Sequence, residues 1–140
     1  MNSIIADSSA LISLFSPKDA NNKLGIKISK KIVNSKQSVC IPSDVFSETL
    51  NVVGKKVSHK SAIALGNKLL IDVRFVVIDS TQAIRRAALG KFKNQGGSVS
   101  FTDCIVMATA DHFKTKEIFG FDKTFSKNGY TTGLPADPKL

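Results

Sequence analysis

Short apolar segments alternate with amphipathic segments along most of the chain, and this alternation restricts the fold more than any other feature. The apolar segments are only two to four residues long, as is typical of strands that are buried on both faces. The segments between them repeat apolar residues at helical spacing, as Leu24, Ile28 and Ile32 do. Buried strands separated by helices indicate a parallel sheet with helices on both faces, so the sequence predicts an α/β fold. The predicted strands lie at 4–6, 39–41, 75–78, 118–119 and 130–132.

Capping residues and prolines define the ends of the predicted helices. Ser8 or Ser9 offers an N-cap to the first helix, which ends before Pro17. Pro42 suits the first turn of the third helix, and Ser80 and Ser100 are the expected starts of two later ones. Residues 122–126 are predicted to form a loop. The helices after the first are predicted at 19–34, 42–53, 58–71, 80–92 and 101–113.

The length of 140 residues suits one domain, which we predict at 1–132, followed by a loose tail at 133–140. Asp7 interrupts the first apolar run and no basic segment precedes it, so a secretory signal is not expected. No apolar run approaches the roughly 20 residues of a membrane-spanning helix. Cys40 and Cys104 read as buried free thiols, and no zinc-binding pattern surrounds the cysteines or histidines. We therefore expect a cytoplasmic protein without a membrane segment.

The chain carries a marked excess of positive charge. Its 20 Lys and Arg residues against 11 Asp and Glu residues give a formal net charge of +9. Such an excess suggests a polyanionic partner, for example a nucleic acid. A solvated helix face has the same composition, so both explanations of the basic clusters stay open. The candidate contacts to RNA are Lys23, Lys27, Lys30, Arg85 and Arg86.

Four acidic residues lie where a parallel α/β sheet places its ligand site. Asp7 and Asp122 each follow a predicted strand, Asp103 begins a helix that is apolar in nearly every direction, and Glu48 lies at the rim of an apolar helix face. The carboxyl ends of parallel strands meet at one edge, so these side chains are expected to converge there. Each also has an ordinary explanation: an N-cap for Asp7, a capping box with Ser100 for Asp103, half-exposure for Glu48 and a turn for Asp122.

Carboxylates that are clustered in this way repel one another unless a cation neutralises them. A set of oxygen ligands suits Mg²⁺ or Mn²⁺. Either ion can polarise a phosphate and lower the pKa of an attacking water molecule. The sequence therefore predicts an acidic metal site surrounded by a basic surface that binds the nucleic-acid backbone.

Four short motifs, taken in order, resemble those of PIN-domain nucleases. They occupy residues 7–12, 42–50, 100–110 and 121–125, and their order and spacing extend the resemblance over 2–132. Within that family the sequence is most similar to the VapC-like toxins of toxin–antitoxin pairs. Phe121 departs from the family pattern, in which a threonine is often seen near the fourth motif.

The resemblance implies a three-layer α/β/α sandwich around a parallel five-stranded sheet. It implies that Asp7, Glu48, Asp103 and Asp122 are catalytic and bind Mg²⁺ or Mn²⁺, with Ser8 as a supporting hydroxyl. The implied activity is hydrolysis of RNA phosphodiester bonds by metal-activated water. The implied partners are RNA, a small antitoxin protein and a second copy of the chain in a homodimer.

Two other functions of the same fold remain open: an RNA-processing nuclease, and a catalytically inactive RNA-binding or scaffold module. Other enzyme classes have less support. A haloacid dehalogenase usually has a second aspartate two residues after the first, where this chain has Ser9. A phospho-receiver domain usually has an acidic pair near its first strand, where only Asp7 lies. The glycine-rich motifs of nucleotide-binding proteins and the serine motif of hydrolases do not occur.

Overall fold

A parallel sheet forms the centre of the computed structural model, which describes residues 3–132. Within that range the sheet contains four strands in the order β3-β2-β1-β4, and each neighbouring pair is parallel. Helices flank this sheet, so the predicted α/β fold is confirmed. The strands are β1 (Ser3–Ala6), β2 (Ser38–Pro42), β3 (Phe75–Ile78) and β4 (Ile118–Phe119).

The fifth predicted strand, at 130–132, is represented in the described part of the chain by a single bridge. Thr131 pairs in parallel with Glu117. The amide of Ile118 donates to the carbonyl of Thr131 at 2.8 Å, and the amide of Thr131 donates to that of Lys116 at 2.7 Å. Since β4 has only two residues, the segment beside it has little strand with which to pair. The expected five strands therefore correspond to four strands and one bridge.

Seven helices are described, and most agree with the predicted ones. Three differences arise from local side-chain hydrogen bonds; in addition, the third helix continues to Lys56, beyond its predicted end at residue 53. The second helix begins at Asn22 rather than at residue 19, because the Asp19 carboxylate accepts from the amide of Asn21 (2.8 Å) in the preceding turn. The helices are α1 (Ser8–Phe15), α2 (Asn22–Asn34), α3 (Ser43–Lys56), α4 (His59–Ile71), α5 (Gln82–Lys93), α6 (Phe101–His112) and α7 (Lys123–Lys127).

Two other predicted boundaries are wrong for similar reasons. Helix α5 is capped by Thr81 rather than by Ser80, whose hydroxyl donates instead to Asp44 at 3.1 Å. Residues 123–127 form α7 rather than a loop, since the Asp122 carboxylate caps this helix. In each case a polar side chain selects the helix start, as expected for N-caps.

Helix α6 packs against the sheet and is the most deeply buried helix. It contacts β1, β2 and β4, and every residue from Cys104 to Ala110 is buried. The prediction that this helix is buried is therefore confirmed for residues 104–110. This packing fixes the start of α6 beside the carboxyl end of β1, where Asp7 lies.

The predicted tail at 133–140 lies outside the described residues. Within residues 3–132, no helix is both long and apolar enough to span a bilayer. Cys40 and Cys104 are buried free thiols, as predicted.

Candidate metal centre

Asp7 connects β1 to α1 and is almost completely buried, with 4% of its surface exposed. Its Oδ2 accepts hydrogen bonds from the Ser9 amide at 3.2 Å and from the Ser9 hydroxyl at 2.7 Å. Asp7 is therefore the N-cap of α1, a place for which the sequence also offered Ser8 and Ser9. Burial raises the pKa of Asp7 to about 6; the hydrogen bonds from Ser9 oppose this rise, and the charges of Asp103 and Glu48 add to it.

Asp103 lies in the first turn of α6 and is partly buried. Its carboxylate accepts from the amide of Ser100 at 3.1 Å, and its own amide donates to the Ser100 hydroxyl at 3.0 Å. The predicted capping box is thus present. Burial raises the pKa of the Asp103 carboxyl; the hydrogen bonds from Ser100 oppose this rise, whereas the negative charges of Asp122 and Glu48 add to it. Capping by Ser100 therefore does not explain why the pKa of Asp103 is raised.

Glu48 and Asp122 are exposed and lie near the two less exposed carboxylates. The charge of Glu48, on α3, raises the pKa of both Asp7 and Asp103. Asp122 caps α7 by accepting from the amide of Thr124 at 2.9 Å, and its charge acts on Asp103. Three helix starts and one helix face thus bring four negative charges to the carboxyl edge of the sheet.

The four carboxylates are close enough to interact, but they do not form a closed ligand cage. In the described range, no three Asp, Glu, His or Cys side chains are arranged to hold one metal ion. Mg²⁺ is usually bound through only one or two carboxylates and retains several water molecules. Like charges that raise one another's pKa are also relieved by a bound cation. The donors fit Mg²⁺ or Mn²⁺, with Asp7 and Asp103 as the pair whose pKa values the surroundings raise.

The hydroxyl that contacts Asp7 belongs to Ser9, although the sequence suggested Ser8 for a supporting role. The Ser9 hydroxyl also accepts a hydrogen bond from the amide of Phe121 at 3.0 Å. We find no hydrogen bond from the Ser8 side chain to another residue of 3–132. Sequence reasoning missed this second contact of Ser9, because it joins residues 112 positions apart.

Gly120 is a further residue of the site that the sequence analysis did not identify. A Cβ atom at this position would lie 3.0 Å from the Cβ of Asp7 and 2.9 Å from the ring of Phe125. Both distances are shorter than ordinary carbon contacts. The one available signal was a glycine directly after a predicted strand, which often marks a close approach of the backbone.

The five basic residues proposed as RNA contacts are all exposed. Arg85 differs from the others because its Nη1 lies 3.3 Å from Oδ2 of Asp44. Exposed ion pairs of this kind are weak and can exchange for a phosphate. The contacts of Lys23, Lys27, Lys30, Arg85 and Arg86 with RNA remain predictions.

Comparison with known proteins gives one family and a set of similar folds. The PIN domain pattern matches residues 4–129. The structure resembles that of Mycobacterium tuberculosis VapC20, described as a sarcin-ricin loop cleaving toxin, with a TM-score of 0.77 and 22% identity over 91% of this chain and 96% of that chain. A toxin–antitoxin complex from Klebsiella pneumoniae gives a TM-score of 0.59 and 16% identity over 86% and 87% of the two chains. No curated protein sequence is significantly similar.

Proposed function

Because this chain belongs to the PIN-domain family, we propose that it is a metal-dependent endoribonuclease and the toxin of a toxin–antitoxin pair. The observation that carries the proposal is the buried Asp7 carboxyl, whose pKa is raised to about 6 beside two further acidic side chains. A carboxyl that served only as a helix cap would gain nothing from burial among like charges. The toxin role is supported by analogy with VapC20 and with the Klebsiella complex.

Asp7 and Asp103, together with the more exposed Glu48 and Asp122, are the residues that would hold the ion. A bound Mg²⁺ or Mn²⁺ ion would polarise the phosphate and activate a water molecule. Asp7 and Asp103 are both fixed by capping hydrogen bonds, so little side-chain entropy is lost when they bind a ligand. The chain requires no side-chain nucleophile for this reaction. Basic side chains at the surface would bind the RNA backbone.

Cleavage of RNA by the purified protein should require Mg²⁺ or Mn²⁺ and should stop when EDTA is added. Glu48→Gln should lower the rate by at least about tenfold to a hundredfold, the usual effect of disturbing groups around a metal. Gel analysis of an end-labelled, structured RNA would measure this. The matched control is Glu117→Gln, the only other glutamate, which accepts from Nε2 of Gln37 at 2.7 Å near the start of β4.

Cleavage that persists in EDTA, or an equal loss in both glutamine variants, would contradict the proposed site. Binding of RNA without cleavage under either metal would instead favour the scaffold alternative. Cleavage restricted to a precursor RNA, with no effect on growth when the protein is produced, would favour the RNA-processing alternative.

An apolar groove beside α1 and α2 supports the antitoxin part of the proposal. Its volume is about 300 Å³, and Ile26 and Val33 on its wall are 38% and 43% exposed. Lys68 and Arg74 also line the groove, so the complementary partner is an amphipathic segment with acidic residues beside its apolar face. The apolar lining comprises Leu14, Phe15, Ile26, Ile32, Val33, Val39, Phe75 and Phe119.

Ile26→Asp or Val33→Asp should weaken binding of the antitoxin by at least about tenfold, because a charge would be buried in the apolar contact. Co-purification with the product of a small adjacent reading frame, followed by titration calorimetry, would measure this. Ile63→Asp is the matched control, since Ile63 is 53% exposed on α4 and does not line the groove. Equal weakening by Ile63→Asp would contradict this docking surface. The predicted homodimer remains a prediction, and the molecular mass in solution tests it.

A further inference from the structure

Beyond the four acidic residues, we propose that the Ser9 hydroxyl is a positioning group that fixes Asp122 relative to Asp7. Gly120 leaves the space that this arrangement needs. That the carboxylates bind a metal ion rests on the proposed function. The contacts that position them are independent of it and can be tested without cleavage.

Ser9 uses both hydrogen-bonding capacities of its hydroxyl within the site. It donates its single proton to Oδ2 of Asp7 at 2.7 Å and accepts the amide proton of Phe121 at 3.0 Å. The two bonds form one chain, from the Phe121 amide through Ser9 to the Asp7 carboxylate. Since each bond polarises the next, the chain is stronger than two separate bonds. Ser9 thereby joins the beginning of α1 to the loop between β4 and α7.

This loop is also held to Asp7 on its other side. The amide of Asp7 donates to the carbonyl of Phe119 at 2.9 Å, so the backbone is attached one residue before Gly120 and again one residue after it. Gly120 lies directly over Asp7, where a side chain would collide with the Asp7 Cβ and with Phe125. The glycine is required here by the close approach of two segments.

Asp122 directly follows Phe121, whose amide is bonded to Ser9, so the position of Asp122 depends on these attachments. It caps α7, and its charge raises the pKa of Asp103. If the loop moved away from Ser9, Asp122 would move with it and leave the other carboxylates. A hydroxyl that only stabilised α1 would need no contact with Phe121, because the Asp7 carboxylate already accepts from the Ser9 amide.

The test compares Ser9→Ala, Ser9→Thr and Ser8→Ala in the full chain. In metal-free protein, hydrogen exchange at the Phe121 amide should become at least about tenfold faster in Ser9→Ala, because its acceptor is lost. Ser9→Thr keeps the hydroxyl and should restore slow exchange. Ser8→Ala should leave exchange at Phe121 unchanged. Ser29→Ala, on α2, serves as a general control, because its hydroxyl bonds only to the nearby carbonyl of Ile26.

The second measurement is the affinity for Mn²⁺, followed by its paramagnetic resonance. Ser9→Ala should weaken binding by about tenfold to a hundredfold, and Ser9→Thr should recover most of it. Unchanged exchange at Phe121 in Ser9→Ala would overturn the inference, as would faster exchange with unaltered Mn²⁺ affinity. If the unsubstituted protein bound no Mn²⁺, the proposed function would fail, and exchange alone would then decide whether Ser9 holds the loop.

Discussion

Asp7→Asn should make the metal-free protein more stable at neutral pH and at the same time remove the proposed nuclease activity. Burial raises the pKa of Asp7 from 3.8 to about 6, so the charged carboxylate is unfavourable in the folded protein at pH 7. At about 1.4 kcal/mol per pKa unit, the neutral asparagine should gain up to about 3 kcal/mol in free energy of unfolding. Asparagine is as good an N-cap as aspartate, so α1 should keep its start.

The gain in stability from Asp7→Asn should increase as the pH rises. Between pH 4 and 6 the folded protein retains a proton on Asp7 that the unfolded chain has released, so stability decreases as the pH rises through this window. The side chain introduced by Asp7→Asn does not titrate, so it makes no such contribution to the pH dependence of stability. The difference in stability between the two proteins should therefore be absent below about pH 4 and complete above about pH 6. Urea unfolding across this range would measure it.

The same substitution should lower RNA cleavage by more than about a hundredfold, because a metal ion contributes several kcal/mol to such reactions. Mg²⁺ should raise the melting temperature of the unsubstituted protein but not that of the variant. Asp19→Asn is the control, since Asp19 also accepts a backbone hydrogen bond in a turn but is not one of the four acidic site residues. A variant that is less stable at pH 7, or that cleaves RNA normally, would contradict the assignment of Asp7.

Phe125→Ala should destabilise the protein by about 3–5 kcal/mol, the usual cost of removing a buried phenylalanine ring. Phe125 is completely buried, and its ring lies against Gly120. Its removal would leave a cavity under the β4–α7 loop, and α7 has only five residues with which to compensate. Chemical unfolding would measure the loss.

Phe113→Ala is the matched control for this substitution, because Phe113 is 41% exposed at the end of α6. Its removal should cost less than about 1 kcal/mol, since little apolar surface leaves the core. A similar cost for both variants would mean that Phe125 has no special part in the packing of this loop.

The sequence was most informative where local pattern alone decides the structure. The apolar runs at 39–41 and 75–78 predicted strands, and both are present. Residues 39–41 are buried as expected, whereas β3 lies at the edge of the sheet and Val76 is 43% exposed. The rule that ligands meet the carboxyl edge of a parallel sheet selected Asp7 and Asp122 as site candidates. The capping box of Ser100 and Asp103 was readable because both partners lie within one helical turn. In these cases the residues that determine the structure are neighbours in the chain.

The sequence was less informative where distant residues decide between equal local candidates. Ser8 and Ser9 are equivalent in pattern, but the Ser9 hydroxyl bonds both to Asp7 and to the distant amide of Phe121. Ser80 and Thr81 both suit an N-cap, but the Ser80 hydroxyl donates to Asp44 and Thr81 caps the helix. The importance of Gly120 depends on two segments far apart in sequence that approach each other closely. Such choices are made by tertiary contacts, which the local sequence pattern does not contain.

The burial of Asp7 beside other acidic groups also bears on how long the protein would survive in a cell. A chain whose site lacks the proposed cation would open more often, since only the hydrogen bonds from Ser9 then offset the buried charge at neutral pH. Proteases act on open chains, so turnover would be faster when the cation is scarce. Cation supply would then govern the abundance of the protein as well as the proposed activity.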